Sequence, residues 1–133
     1  MGALGEFPLG GDLPVHRIGF GAMRLPAGTF QGPARDPAAG VAVLRRAVEL
    51  GVDHIDTAWF YRRGGVAANE LIRTALAPHG DGLVIATKVG PLFGSSGVPG
   101  GQAARTGCAA WWRRTCAASA WTGSTSSTSA WEA

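Results

Sequence analysis

Apolar positions recur with a helical period between residues 36 and 51. Val41, Leu44, Ala47 and Val48 fall on one face. Asp36 is a suitable N-cap, Pro37 suits the first helical position, and Gly51 closes the segment. A second helix is predicted from Ala67 to Ala77, with Leu71, Ile72, Ala75 and Leu76 on one side and Pro78 as its stop. The other apolar runs lack that period. Arg17 to Leu25 reads as a buried strand ending in a glycine-permitted bend, and Val52 to Ala58 as a short inner strand with polar residues at its C-terminal end. Leu83 to Gly90 is a β-rich run that carries a lysine near its end. Ahead of them, Phe7 to Leu9, the turn Gly10-Gly11-Asp12 and Val15 to Ile18 fit either a small hairpin or a loose N-terminal arm.

Strand, helix, strand, helix, strand implies parallel pairing with helical crossovers, in an open doubly wound sheet or a closed eight-stranded barrel. An open nucleotide-binding sheet wants a glycine loop running directly into a helix, with an acidic residue about 20 positions on. Gly19-Phe20-Gly21 lacks the third glycine, and a long loop precedes the first helix. Asp56 and Lys88 instead sit at the C-terminal ends of strands, the face on which barrel enzymes assemble their sites. The reading is therefore α/β, with the first three β/α units of a (β/α)8 TIM barrel, left incomplete and followed by an irregular tail.

Composition narrows the function. The 133 residues are 46% hydrophobic and 16% charged, a globular balance. A net charge of +3 is too small and scattered for a phosphate-binding surface, so no nucleic-acid partner is expected. Neither a membrane-spanning run nor a secretory leader is visible, which makes the cytoplasm the expected location. Cys108 and Cys116 have no metal-binding spacing, and no metal is expected.

Asp56, Tyr61 and Lys88 make a coherent chemical set. Reducing a carbonyl by hydride requires a proton donor for the forming alkoxide, and a phenol serves if its pKa of about 10 is lowered. An adjacent ammonium favours the phenolate, and a carboxylate holds the ammonium charged and in place. Singly, each residue has a plainer role: a loop-ordering carboxylate, an aromatic at the barrel rim, a lysine at a strand end.

The segments IGFGAMRL, AVELGVDHIDTAWFY, NELIRTALAP and LVIATKVG resemble the aldo/keto reductase family over about residues 13 to 95. That resemblance implies a barrel binding extended NADPH without a Rossmann fold, and hydride transfer to an aldehyde or ketone. It makes Tyr61 the proton donor, Lys88 the cation that lowers its pKa, and Asp56 the partner of Lys88 beside the nicotinamide. Gly21, Ala22 and Met23 match backbone positions lining the nicotinamide ribose, and Trp59 and Phe60 match substrate-pocket positions. His54 reads as a packed histidine; His16 and His79 read as structural or exposed.

The family pattern is expected to end at residue 101. From Gln102 the chain has no Val, Leu or Ile, yet holds four of the five Trp and both Cys. A stretch without aliphatic residues cannot build the next helix and strand. Read one base earlier with GC-rich codons, the tail gives approximately DRLRGLVEENLRSQRVDRLDVVNQRV, a helical stripe followed by a strand and without a histidine. Residues 102–133 are thus expected to be a frameshifted, disordered tail, and residues 1–101 the N-terminal part of a reductase barrel that is inactive alone. The rival expectation is a non-enzymatic product, a pseudogene fragment or an interaction module.

Overall fold

The computed structural model describes residues 5–29, 32–77 and 82–88 with their side chains, and residues 92–93 and 99–101 as backbone strands. His79, the end of the third predicted strand and the tail from Gln102 lie outside the described residues.

A hairpin of β1 (Glu6–Leu9) and β2 (Leu13–His16) opens the chain, turning at Gly10 and Gly11, both at positive φ. Three parallel strands follow, β3 (Phe20–Gly21), β4 (His54–Asp56) and β7 (Val84–Ala86), in the order β3-β4-β7. Helix α1 (Pro37–Glu49) connects the first pair, and α2 (Ala68–Leu76) lies between the second. Two βαβ crossovers therefore form as the alternation of patterns predicts.

The cap of α1 is the expected one: Asp36 accepts a 3.0 Å hydrogen bond from the Ala38 amide, Pro37 occupies the first turn, and Gly51 leaves it at φ 95°. Leu44 of α1, Ile55 of β4 and Ala68, Leu71, Ile72, Ala75 and Leu76 of α2 build the core with Ala22 and Leu25. Gly40 lets the two helices approach, since a Cβ there would lie 2.9 Å from Leu71 Cδ1. Arg45 Nε also donates to the Ala75 carbonyl across the pair (3.3 Å).

The first strand is shorter than the pattern predicts. The apolar run Arg17 to Leu25 predicts one buried strand, but only Phe20 and Gly21 pair with β4. The Arg17 amide turns back to the Gly5 carbonyl (3.0 Å), Ile18 is 56% exposed, and Ala22–Arg24 coil into a 3-10 turn. The predicted hairpin arm Val15 to Ile18 likewise shifts to Leu13–His16. Of Val52 to Ala58, only His54–Asp56 is strand, although backbone bonds from Val84 to Asp53 and from Thr57 to Ala86 (both 2.8 Å) extend the β4–β7 ladder at each end.

Two small hairpins lie outside the sequence reading. β5 (Arg62–Arg63) and β6 (Val66–Ala67) pair across Gly64 and Gly65, both at positive φ. Two adjacent glycines between short arms are a signal for such a tight turn. β8 (Leu92–Phe93) pairs with β9 (Pro99–Gly101).

At the N-terminal end of β4, Asp53 fastens the opening hairpin. Its two carboxylate oxygens accept from the His16 amide at 3.0 and 2.9 Å, and His16 Nδ1 lies 2.7 Å from the Gly51 carbonyl. The His54 ring packs against Gly19, leaving no room there for a Cβ. Both histidines are half-buried structural groups, in keeping with their sequence reading.

Candidate active site

The opposite, C-terminal end of the sheet gathers the polar residues. Register sets Gly21 of β3 beside Asp56 of β4 and Asp56 beside Ala86 of β7, so Lys88 follows just beyond the ladder. Parallel pairing thus brings together groups 32 positions apart. Lys88 Nζ donates to both carboxylate oxygens of Asp56 at 2.6 Å and to the Thr57 carbonyl at 3.0 Å.

Tyr61 completes the group. Its ring centroid lies 5.1 Å from Lys88 Nζ, close enough for the phenol to act on the ammonium. The Tyr61 backbone is held on both sides, its amide donating to Ala58 (3.1 Å) and its carbonyl accepting from Ala68 at the start of α2 (2.8 Å). Burial alone pulls the Lys88 ammonium toward neutrality. Hydrogen bonds to Asp56 and the pull of both Asp56 and Tyr61 outweigh burial, and the Lys88 pKa is raised from its ordinary 10.5.

Trp59, Phe60 and Tyr61 meet edge to face, with centroid separations of 6.1 and 5.1 Å. Arg62 lies over the Trp59 ring at 5.9 Å. Both Trp59 and Phe60 are half-buried beside the phenol. On the β3 side, Gly21 is exposed with no atom within 4 Å of where a Cβ would sit, Ala22 is fully buried, and Met23 is 37% exposed. The space beside Gly21 is open at the strand ends next to Asp56. Among the described residues no group of three or more His, Cys, Asp or Glu side chains could hold a metal. No described helix is long and apolar enough to cross a membrane.

Sequence reasoning missed Thr57. Only 2% exposed, it donates its hydroxyl to Asn69 Oδ1 in the first turn of α2 (2.8 Å) while its carbonyl receives Lys88. A polar residue directly after Asp56, inside a strand end, was the available signal.

The chain matches the Aldo/keto reductase family over residues 17–119 and belongs to that family of oxidoreductases. It is similar to pyridoxine 4-dehydrogenase of Escherichia coli, 48% identical over 84 residues that cover 63% of this chain and 29% of that protein. Over 80 residues it is 44% identical to an uncharacterized oxidoreductase of Schizosaccharomyces pombe, covering 60% of this chain and 25% of the other. A crystal structure of a protein assigned to the aldo-keto reductases, from Pseudomonas aeruginosa, superposes with a TM-score of 0.65 at 23% identity. That superposition covers 84% of this chain and 42% of the other. The chain spans less than a third of the length of the curated relatives it matches.

Proposed function

We propose that this chain carries the acid/base machinery of an NADPH-dependent reductase of aldehydes or ketones. The observation behind this reading is the placement of Lys88 Nζ between the Asp56 carboxylate and the Tyr61 phenol. A nicotinamide cofactor held there would supply the hydride for the carbonyl carbon. Tyr61 Oη gives its proton to the carbonyl oxygen, so the carbonyl becomes an alcohol and the tyrosine a phenolate. Lys88 stabilises that phenolate, and Asp56 keeps the ammonium charged and aimed. Gly21, Ala22 and Met23 would border the nicotinamide ribose through their backbone, with Asp56 beside the ring, and Trp59 and Phe60 would face the carbonyl compound.

In this reading residues 1–101 supply three of the eight units of a barrel that needs about 250 residues, and the parent enzyme works in the cytoplasm. The tail from Gln102 is read in a shifted frame. Coding DNA around Gly100 to Ala104 tests this: an uninterrupted family-like frame on the other phase supports it, and selection on the tail's own frame favours a non-enzymatic interaction module. The family match extends to residue 119, beyond the Gln102 boundary of this reading, and the same DNA decides where the family-like frame ends. Activity is tested by NADPH oxidation with simple aldehydes in the frame-restored parent. No aldehyde- or ketone-dependent oxidation would overturn the reductase reading.

A further inference from the structure

The reductase reading gives roles to Asp56, Tyr61 and Lys88 but leaves Thr57 without one, although Thr57 has the most completely engaged polar groups near the site. Its amide donates to Ala86 of β7 (2.8 Å), its carbonyl accepts from Lys88 Nζ (3.0 Å), and its hydroxyl donates to Asn69 Oδ1 of α2 (2.8 Å). Three bonds tie it to two parts of the fold, the end of β7 with the residues just beyond it and the first turn of α2, and the side chain is buried.

We infer that Thr57 is a positioning residue, and that its bond to Asn69 locks the carbonyl that, together with Asp56, aims the Lys88 ammonium at Tyr61. A carboxylate alone attracts an ammonium without fixing its direction, because the ammonium carries three rotatable donors. A second acceptor removes that freedom. Lys88 accordingly has Asp56 on one side and a rigid backbone oxygen on another. That oxygen stays rigid because the neighbouring hydroxyl is tied to a helix packed in the core. Asn69 lies in the first turn of α2, directly after Ala68, whose amide binds the Tyr61 carbonyl. One helical turn thus sets the backbone on which both the phenol and its cation depend. This inference rests on the reductase reading for its meaning in catalysis, but its geometry can be tested without turnover.

Lys88 is the single lysine of the 133-residue chain, so lysine labelled with carbon-13 at Cε reports one titrating signal. Thr57→Val keeps the branched shape and removes the donor. The expected result is that the Lys88 midpoint falls from its raised value toward 10.5, and that Thr57→Ser restores it. Asn69→Ala removes the acceptor from the other side and should lower the midpoint in the same direction, which covers the case in which Thr57→Val does not fold. Urea midpoints of the same proteins report stability separately. A Lys88 titration identical to wild type in folded Thr57→Val or Asn69→Ala, with only the urea midpoint lowered, would overturn the inference and make the contact purely structural. If the frame-restored parent were silent toward carbonyls while the Lys88 midpoint still moved, the reductase reading would fail and the positioning contact would stand.

Discussion

Lys88 Nζ lies 2.6 Å from both carboxylate oxygens of Asp56, a symmetric pairing made at the open end of a three-stranded parallel sheet. Both side chains remain about half exposed, at 44% and 54%. A surface ion pair of this exposure contributes little to stability. Its value lies in where it puts a cation.

Tyr61→Phe in the frame-restored parent should lower kcat by about 100- to 10,000-fold, the usual contribution of a positioned proton donor, with cofactor binding retained. Steady-state kinetics with an aldehyde and fluorescence titration with NADPH check both halves. A Phe variant with wild-type kcat would remove Tyr61 from the chemistry.

Lys88→Met withdraws the charge that, on the proposed mechanism, favours a phenolate. Residual turnover is expected to fall and its pH dependence to move to higher pH. An unchanged rate and profile would reduce Lys88 to a surface residue.

Stability should follow the same ammonium. The folded pKa of Lys88 is raised, so whatever the pair contributes is complete below the unfolded lysine value of about 10.4 and fades as pH rises through the higher folded value. Urea midpoints of wild type and Lys88→Met, measured from neutral pH to above 11, should therefore differ by a constant amount that closes only in the alkaline range. A gap that closed between neutral pH and the unfolded lysine value would contradict the sign.

Gly19→Ala places a methyl where the His54 ring now sits. Overpacking of this kind costs about 1–3 kcal/mol. The ring must swing out, giving up its 3.4 Å approach to Asp53. His54→Ala should relieve most of the cost, so the two substitutions combine non-additively in a double-mutant cycle. Strict additivity would show that the ring does not limit position 19.

The 133-residue chain alone should neither bind NADPH measurably nor reduce carbonyls. A positioned set works only when held within about 0.5 Å of productive geometry, and on the proposed reading this chain supplies three strands of an eight-stranded barrel. Saturable micromolar binding in a fluorescence titration would overturn that expectation.

Much of this was legible in the sequence for identifiable reasons. The α1 cap, proline and closing glycine are local signals, and they appear where predicted. Asp56, Tyr61 and Lys88 are a combination uncommon enough to point to one another across the chain, and the fold brings them together. Strand lengths were not legible, because they depend on which neighbour each backbone finds. The Arg17 amide chooses Gly5 over the sheet, and nothing in its own apolar context announces that. Thr57 was passed over for a similar reason. Its importance comes from Asn69, Ala86 and Lys88, three partners that only the fold brings near.

Two aspartates stand at the ends of β4, three positions apart, or about 10 Å of extended chain. Asp53 faces the hairpin and holds His16; Asp56 faces the open end and holds Lys88. One short strand thus divides its labour by direction. Substitutions in the parent enzyme should sort along it: those reaching the Asp53 end should reduce how much protein accumulates, and those reaching the Asp56 end should reduce what each molecule does. A library scored separately for abundance and for turnover would draw that boundary within the width of a single tripeptide, His54 to Asp56.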